Sequence, residues 1–169
     1  MPKTDHRPDM SIPCGEGLVN LRVGAVIVKD HKILMAGNPK NDYLYSVGGR
    51  IKFGETAEEA VVREVLEETG TMLAVDRLAF IQENYFYGDA PGKKGKLIYE
   101  VAMYFLMQVP EDFEPVKQGM TEGDEAEWYQ WVAPDTPQPL YPDFFRTDAL
   151  HPAPGVTYYV NDERLSRKP

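Results

Sequence analysis

Cysteine occurs once, at Cys14, and histidine three times, at His6, His31 and His151, in a chain of 169 residues. One thiol closes no internal disulfide, so nothing in the chain calls for an oxidising compartment, and Cys14 reads as an ordinary terminal thiol. Three scattered histidines argue against a His-based zinc site. Basic residues are also scarce: 18 Lys and Arg stand against 27 Asp and Glu, a net charge of −9. That deficit weighs against a nucleic acid polymer or an anionic membrane as partner, since both are held by basic patches. Long apolar runs are lacking. The longest uncharged one near the start is Val23–Val28, far short of the ~20 residues a membrane span needs. The polar opening MPKTDHRPDM has no apolar segment of the secretory kind. The expectation is a cytoplasmic location.

What is present suits one globular domain: 43% apolar and 27% charged residues, with enough length to bury a core unaided. Residues 1–17 hold Pro2, Pro8, Pro13, Gly15 and Gly17 and read as a loose arm. The domain is expected over 18–150, and 151–169 as a tail that packs on it. Leu18–Val28 is a strand by its aliphatic and β-branched content, Lys29 to Lys32 a turn, and Ile33–Met35 the returning arm. Tyr43–Val47 is a further short apolar stretch that runs into Gly48-Gly49. Thr56 with Glu59 three residues on has capping-box spacing, Ala57–Thr69 is free of Gly and Pro, and Gly70 sits at a C-cap position, which together predict a helix. Met72–Tyr87 and Leu97–Val109 read as a long hairpin. Residues 110–127 read as a mobile loop, Glu127–Val132 as a strand, Asp143–Leu150 as a second helix, and Val156–Val160 as a β-like patch.

Glu64, Glu67 and Glu68 are spaced i, i+3, i+4, which puts three carboxylates on about 100° of one helix face. Val61, Val62, Val65 and Leu66 are expected on the neighbouring arc, against a sheet. Like charges at this spacing repel by a few tenths of a kcal/mol per pair. A divalent cation would reverse the sign, and with so few thiols and imidazoles the ligands would be carboxylates, which favours Mg²⁺, Mn²⁺ or Ca²⁺. A solvated acidic face, with Arg63 paired to Glu67, is the plainer alternative. Gly48, Gly49 and Gly54 precede the helix, where glycines let backbone approach a ligand closely.

The run from Gly49 to Thr71 resembles the Nudix box: a Gly, five residues, Glu, seven residues, then Arg-Glu-apolar-any-Glu-Glu-any-Gly-apolar. Gly49, Glu55, Arg63, Glu64, Glu67, Glu68 and Gly70 match, and Val65 fills the inner apolar position; Thr71 departs from the aliphatic preference at the end. The resemblance implies an α+β fold, an α/β/α sandwich with a mixed β-sheet. It also implies hydrolysis of the diphosphate bond in a nucleoside diphosphate linked to another moiety, with Mg²⁺ or Mn²⁺ as cofactor. By the same resemblance Glu67 and Glu68 are metal ligands, Glu64 is a ligand or the base that orients the attacking water, and the Gly48 carbonyl is a backbone ligand. Glu55 and Arg63 are a structural pair, with Gly49 and Gly70 as structural glycines. A further carboxylate is expected from the late loop before Trp128 and Trp131: Glu125, with Glu122 and Glu127 as alternatives. Arg50 is a candidate phosphate contact, and family members often form homodimers.

Substrate choice is left open. Tyr85, Phe86 and Tyr87 could stack a base, although alternate residues face the core, and Tyr87 falls 16 residues past the box, a placement the family associates with dinucleoside polyphosphates. After the box no proline occurs before Pro91, unlike the ADP-ribose-hydrolysing pattern. Lys93, Lys94 and Lys96 could meet phosphates or form a solvated hairpin tip. The alternatives in function are a Nudix-fold nucleotide-binding or regulatory domain without turnover and, less favoured for want of a core cysteine, a diphosphate isomerase. Residues 49–71 carry six acids and three bases, and 111–127 seven acids and one base. Those two segments account for the whole net charge. Millimolar Mg²⁺ or Mn²⁺ is therefore expected to raise the melting temperature by binding the native state; an unmoved melting curve counts against a metal site.

Overall fold

Two six-stranded mixed sheets and one long helix make up the fold seen in a computed structural model, which describes residues 5–120 and 126–166. The first sheet runs β1 (Ser11–Cys14), β2 (Gly17–Val26), β8 (Leu97–Met107), β7 (Val75–Tyr87), β12 (Thr157–Asp162), with β6 (Gly48–Arg50) also paired to β2. The second runs β11 (Leu140–Tyr141), β5 (Leu44–Ser46), β4 (Lys32–Gly37), β10 (Ala126–Val132), β9 (Gln118–Met120), with β3 (Val28–Lys29) on β4. Within the first sheet β2 lies parallel to β8 and β12 parallel to β7, while β7 and β8 are antiparallel.

The hairpin at Lys29–Lys32 turns on Asp30 and His31, both at positive φ (50° and 58°). This is the primed geometry that matches strand twist. Helix α1 (Ala57–Thr69) carries the full capping box: Glu59 N–H donates to Thr56 Oγ1 at 3.2 Å, and Thr56 N–H donates to Glu59 Oε2 at 2.7 Å. Gly70 ends it at φ 77°, its N–H reaching the Leu66 carbonyl at 3.0 Å.

Two cores lie on the two sides. Ala60, Val61 and Val65 of α1 pack with Val23, Ala25, Leu34, Ala36 and Phe105. On the other side Phe144 and Phe145, next to the short helix α2 (Phe145–Asp148), pack with Val26, Met35, Phe80 and Tyr104. This α+β arrangement agrees with the fold class expected from the sequence.

Four expectations need correction. The arm is not loose throughout: β1 pairs with β2 from Ser11↔Asn20 to Cys14↔Gly17, and Asp9 bridges Lys52, because a turn at Gly15 (φ 59°) folds the arm back on the sheet edge. The stretch after Val109 is not simply a loop: Phe113 is buried against the edge of Trp131, and β9 pairs with β10. The second helix is one short turn, since the Phe144–Phe145 pair is held by core packing rather than helical periodicity. Leu66 is 40% exposed, whereas Glu64 is 8% exposed, so the buried stripe of α1 is Ala60, Val61, Glu64, Val65 and Thr69.

At the β2–β8 contact Gly24 faces the Tyr104 ring, and an added Cβ would lie 2.4 Å from it. Gly24→Ala is expected to destabilise the chain by about 2 kcal/mol through overpacking and to lower the melting temperature by roughly 4–8 °C, measured by thermal unfolding.

Candidate functional site

Rotation of the buried stripe has a direct consequence for the three helix carboxylates. Glu64 lies in the helix–sheet interface. It is accommodated because Gly49 has no side chain, since a Cβ there would be 2.4 Å from Glu64 Oε1. Glu68, one turn on, is half-buried; its Oε1 accepts the Gly48 N–H at 3.3 Å and its Oε2 is buried with no partner. Glu67 turns outward, with its side chain 49% exposed, and takes an ion pair from Arg63 at 3.2 Å. Gly48 thus offers its N–H to the cluster, and its φ of 150° with a Cβ position 2.2 Å from the Val23 carbonyl leaves room for no other residue.

Arg63 ties this region together. Its guanidinium forks onto Glu55 at 2.6 and 3.0 Å, donates to the Arg50 carbonyl at 3.1 Å, and meets Glu64 at 2.8 Å. Glu55 also accepts the Lys52 N–H at 2.7 Å, so the loop entering α1 is fastened to the helix through one carboxylate.

Glu125 and Glu122 lie outside the described residues. Glu127 is 5% exposed, and its carboxylate accepts from the hydroxyls of Tyr45 (2.6 Å) and Tyr129 (3.0 Å). Burial raises the pKa of Glu68 well above the usual carboxylate value, and the charges of Glu127 and Glu64 add to the shift. Burial likewise raises Glu64, partly offset by Arg63. Among the described residues no three His, Cys, Asp or Glu side chains converge closely enough to hold an ion as they stand. The chemistry nevertheless suits a divalent cation: hard oxygen donors, a buried carboxylate oxygen without a partner, and carboxylates that repel one another.

A cleft of about 770 Å³ opens on the opposite face of the first sheet. Strand alternation sends Arg22 of β2, Glu100 of β8, Gln82 and Asn84 of β7 and Asn161 of β12 to its floor. Phe86 and Tyr87 line it, and Glu163 accepts the Tyr87 N–H at 3.4 Å. Tyr85 faces away, stacked on Tyr99 at 4.6 Å beneath the Arg164 guanidinium. Neither tryptophan lines the cleft: Trp128 packs on Gly37 and Trp131 on the α1-side core. Arg50 is 3.6 Å from Asp9.

The sequence reading passed over Arg22, Tyr45 and Tyr129. A signal for Arg22 existed: it is the one charge within the apolar strand Leu18–Val28, and it shares a face with Asn20 and Gly24.

A group whose native pKa is raised lends its stability below the unfolded pKa and loses it as pH rises through the native one. Ionised Glu68 therefore works against the metal-free fold at neutral pH. In EDTA, Glu68→Gln is expected to melt above the parent chain at pH 8, with the gap closing toward pH 4. A gap independent of pH across thermal melts would contradict this.

A family model described as the NUDIX domain matches residues 19–150. An ADP-ribose pyrophosphatase of Methanocaldococcus jannaschii is 46% identical over 59 residues, which is 33% of this chain and 35% of that protein, so the match spans about a third of the relative's length. Among solved structures, a MutT NUDIX hydrolase from Burkholderia pseudomallei is 29% identical with a TM-score of 0.51, over 72% of this chain and 89% of that one. A mutator MutT protein from Bacillus halodurans shares the fold at 21% identity and a TM-score of 0.59, over 86% and 92% of the two chains. With the family model covering most of the sequence, and with the carboxylate helix and its glycine strand in place, the chain belongs to the NUDIX domain family.

Proposed function

We propose that this protein hydrolyses the diphosphate bond of a nucleoside diphosphate linked to another moiety, with Mg²⁺ or Mn²⁺ as cofactor. The observation that carries the reading is the buried Glu64 and half-buried Glu68 set against Gly48-Gly49, with a buried carboxylate oxygen of Glu68 left without a partner. A helix selected only for stability would not put one carboxylate in its packing stripe and a second, half-buried, one turn on. Glu64, Glu67 and Glu68, with the Gly48 carbonyl, would hold the cation. When bound, it would supply charge neutralisation at the diphosphate and a water of lowered pKa.

The remaining work falls to the chain itself. Arg63 restrains Glu64 and Glu67 while its fork on Glu55 fixes the loop from Gly49 to Thr56. Glu64, held close to the strand by Gly49, is suited to orient the attacking water or to take its proton. Glu127 adds negative charge next to Glu68 and is the described late-segment carboxylate best situated to join the site. The nucleoside would occupy the cleft, with Phe86 or Tyr87 against the base. Matches to proteins named ADP-ribose pyrophosphatase make ADP-ribose the first compound to try, beside dinucleoside polyphosphates, nucleotide sugars and oxidised nucleoside triphosphates. We also read residues 18–150 as the catalytic domain, and the protein as located in the cytoplasm.

The test is Mg²⁺-dependent release of nucleoside monophosphate or phosphate over that panel. Glu67→Gln and Glu64→Gln are each expected to lower kcat by about a hundredfold or more while unfolding stays cooperative. Full activity in both variants would overturn the mechanism, and binding without release would favour the nucleotide-sensing alternative.

A further inference from the structure

Next to Arg22 on the cleft floor, three cations gather against two acids. Arg22 of β2 and Arg50 of β6 are direct partners across an antiparallel pair, so their side chains leave the same face of the sheet. Like charges placed opposite one another in this way are destabilising. Lys93, from the loop joining β7 and β8, adds a third cation: it is half-buried, unlike the exposed Lys94 and Lys96, and its pKa is lowered by burial and by the neighbouring Arg50. The acids facing this group are Asp9 and Glu100. Asp9 is divided between Arg50 at 3.6 Å and Lys52 at 3.7 Å, and Glu100 accepts from Asn20 at 3.5 Å.

Partners are missing where they would be expected. Arg22 lies on the cleft floor, Lys93 belongs to the same loop as Asp89 of the cleft wall, and among the described residues neither side chain makes a hydrogen bond or an ion pair. The Nε of Arg50 is buried without an acceptor. A guanidinium brings five donors, and leaving them unmet away from water is unfavourable. Burial opposes the charge on Arg22, but Glu100, Tyr104, Glu68 and Glu64 lie close enough to outweigh it, so this guanidinium stands between the cleft and the carboxylate helix.

We propose that Arg22, Arg50 and Lys93 form a cradle for the phosphates of the substrate, holding a nucleoside diphosphate so that its nucleoside lies in the cleft and its diphosphate reaches the face of α1. This rests on the functional reading above and deepens it. These cations would supply affinity without a metal, as point and fork charges on phosphate oxygens. They complement the carboxylates of α1 across β2 and β6, so a substrate and its cation together would engage both groups.

The probe is ADP, titrated calorimetrically into the full chain in EDTA, with thermal melts and Mg²⁺-dependent turnover measured in parallel. The parent chain is expected to bind ADP more weakly as salt rises. Arg22→Gln and Lys93→Gln are each expected to raise Kd by about tenfold or more, and Lys94→Gln, at an exposed site, to leave it unchanged. Unchanged affinity in both Arg22→Gln and Lys93→Gln overturns the cradle. So does a parent chain that turns over nucleotides with Mg²⁺ but does not bind ADP without it, an outcome that leaves the hydrolase reading standing. A chain that neither binds ADP nor releases product overturns both. Lower stability with intact affinity in Arg22→Gln would assign Arg22 a structural role instead.

Discussion

The constraint on which the rest of the molecule turns is the burial of Glu64 in the stripe that α1 presents to the sheet, with the half-buried Glu68 one turn on. A carboxylate in such a position needs space and donors. Gly49 gives the space, by having no Cβ where Glu64 Oε1 sits, and Gly48 gives a donor, through its N–H to Glu68. The strand carrying these glycines must then stay in register with the helix. That is achieved by Arg63, which binds Glu55 in the loop, the Arg50 carbonyl on the strand and Glu64 on the helix at once. Glycine strand, loop and helix are thus one mechanical unit built around charges that a stability-driven design would avoid.

The two faces of β2 carry opposite burdens. Val23 and Ala25 point to the α1-side core, while Asn20, Arg22 and Gly24 point to the cleft. Period-two alternation is therefore what separates the carboxylate side from the basic side by the thickness of one strand. Gly24 completes the pattern by leaving room for the Tyr104 ring against the backbone two residues from Arg22.

Local rules made much of this legible. The capping box of α1, its Gly70 terminus and the Asp30–His31 turn are set by neighbours in sequence, and the motif spacing led to Glu55, Arg63, Glu64, Glu67 and Glu68. What sequence did not disclose depends on contacts between distant segments. Leu66 was expected to be buried, but the helix is rotated toward Glu64 because Gly49 opens a space that aliphatic periodicity does not register. The pairing of Ser11–Cys14 with β2 is likewise a tertiary outcome, as is the cleft floor, drawn from β2, β7, β8 and β12. Glu125 falls outside the described residues, and the placement of Glu127 rests on Tyr45 and Tyr129, which approach it from β5 and β10.

The parallel pairing in the first sheet also bears on how the chain acquires its shape. Leu18 meets Ile98, and Thr157 meets Phe80, so the two parallel seams join segments separated by most of a domain's length. Contacts of such long sequence separation are slow to form, because the entropy of closing the intervening loops is lost before the pairing is gained. The β3–β4 hairpin and α1 can form locally, whereas the cleft waits on both seams. During biosynthesis the residues that complete its rim, Asn161 and Glu163, leave the ribosome after the other residues of the cleft. The carboxylate helix is thus an early structure and the cleft a late one, and a chain halted short of β12 would carry the first without the finished second.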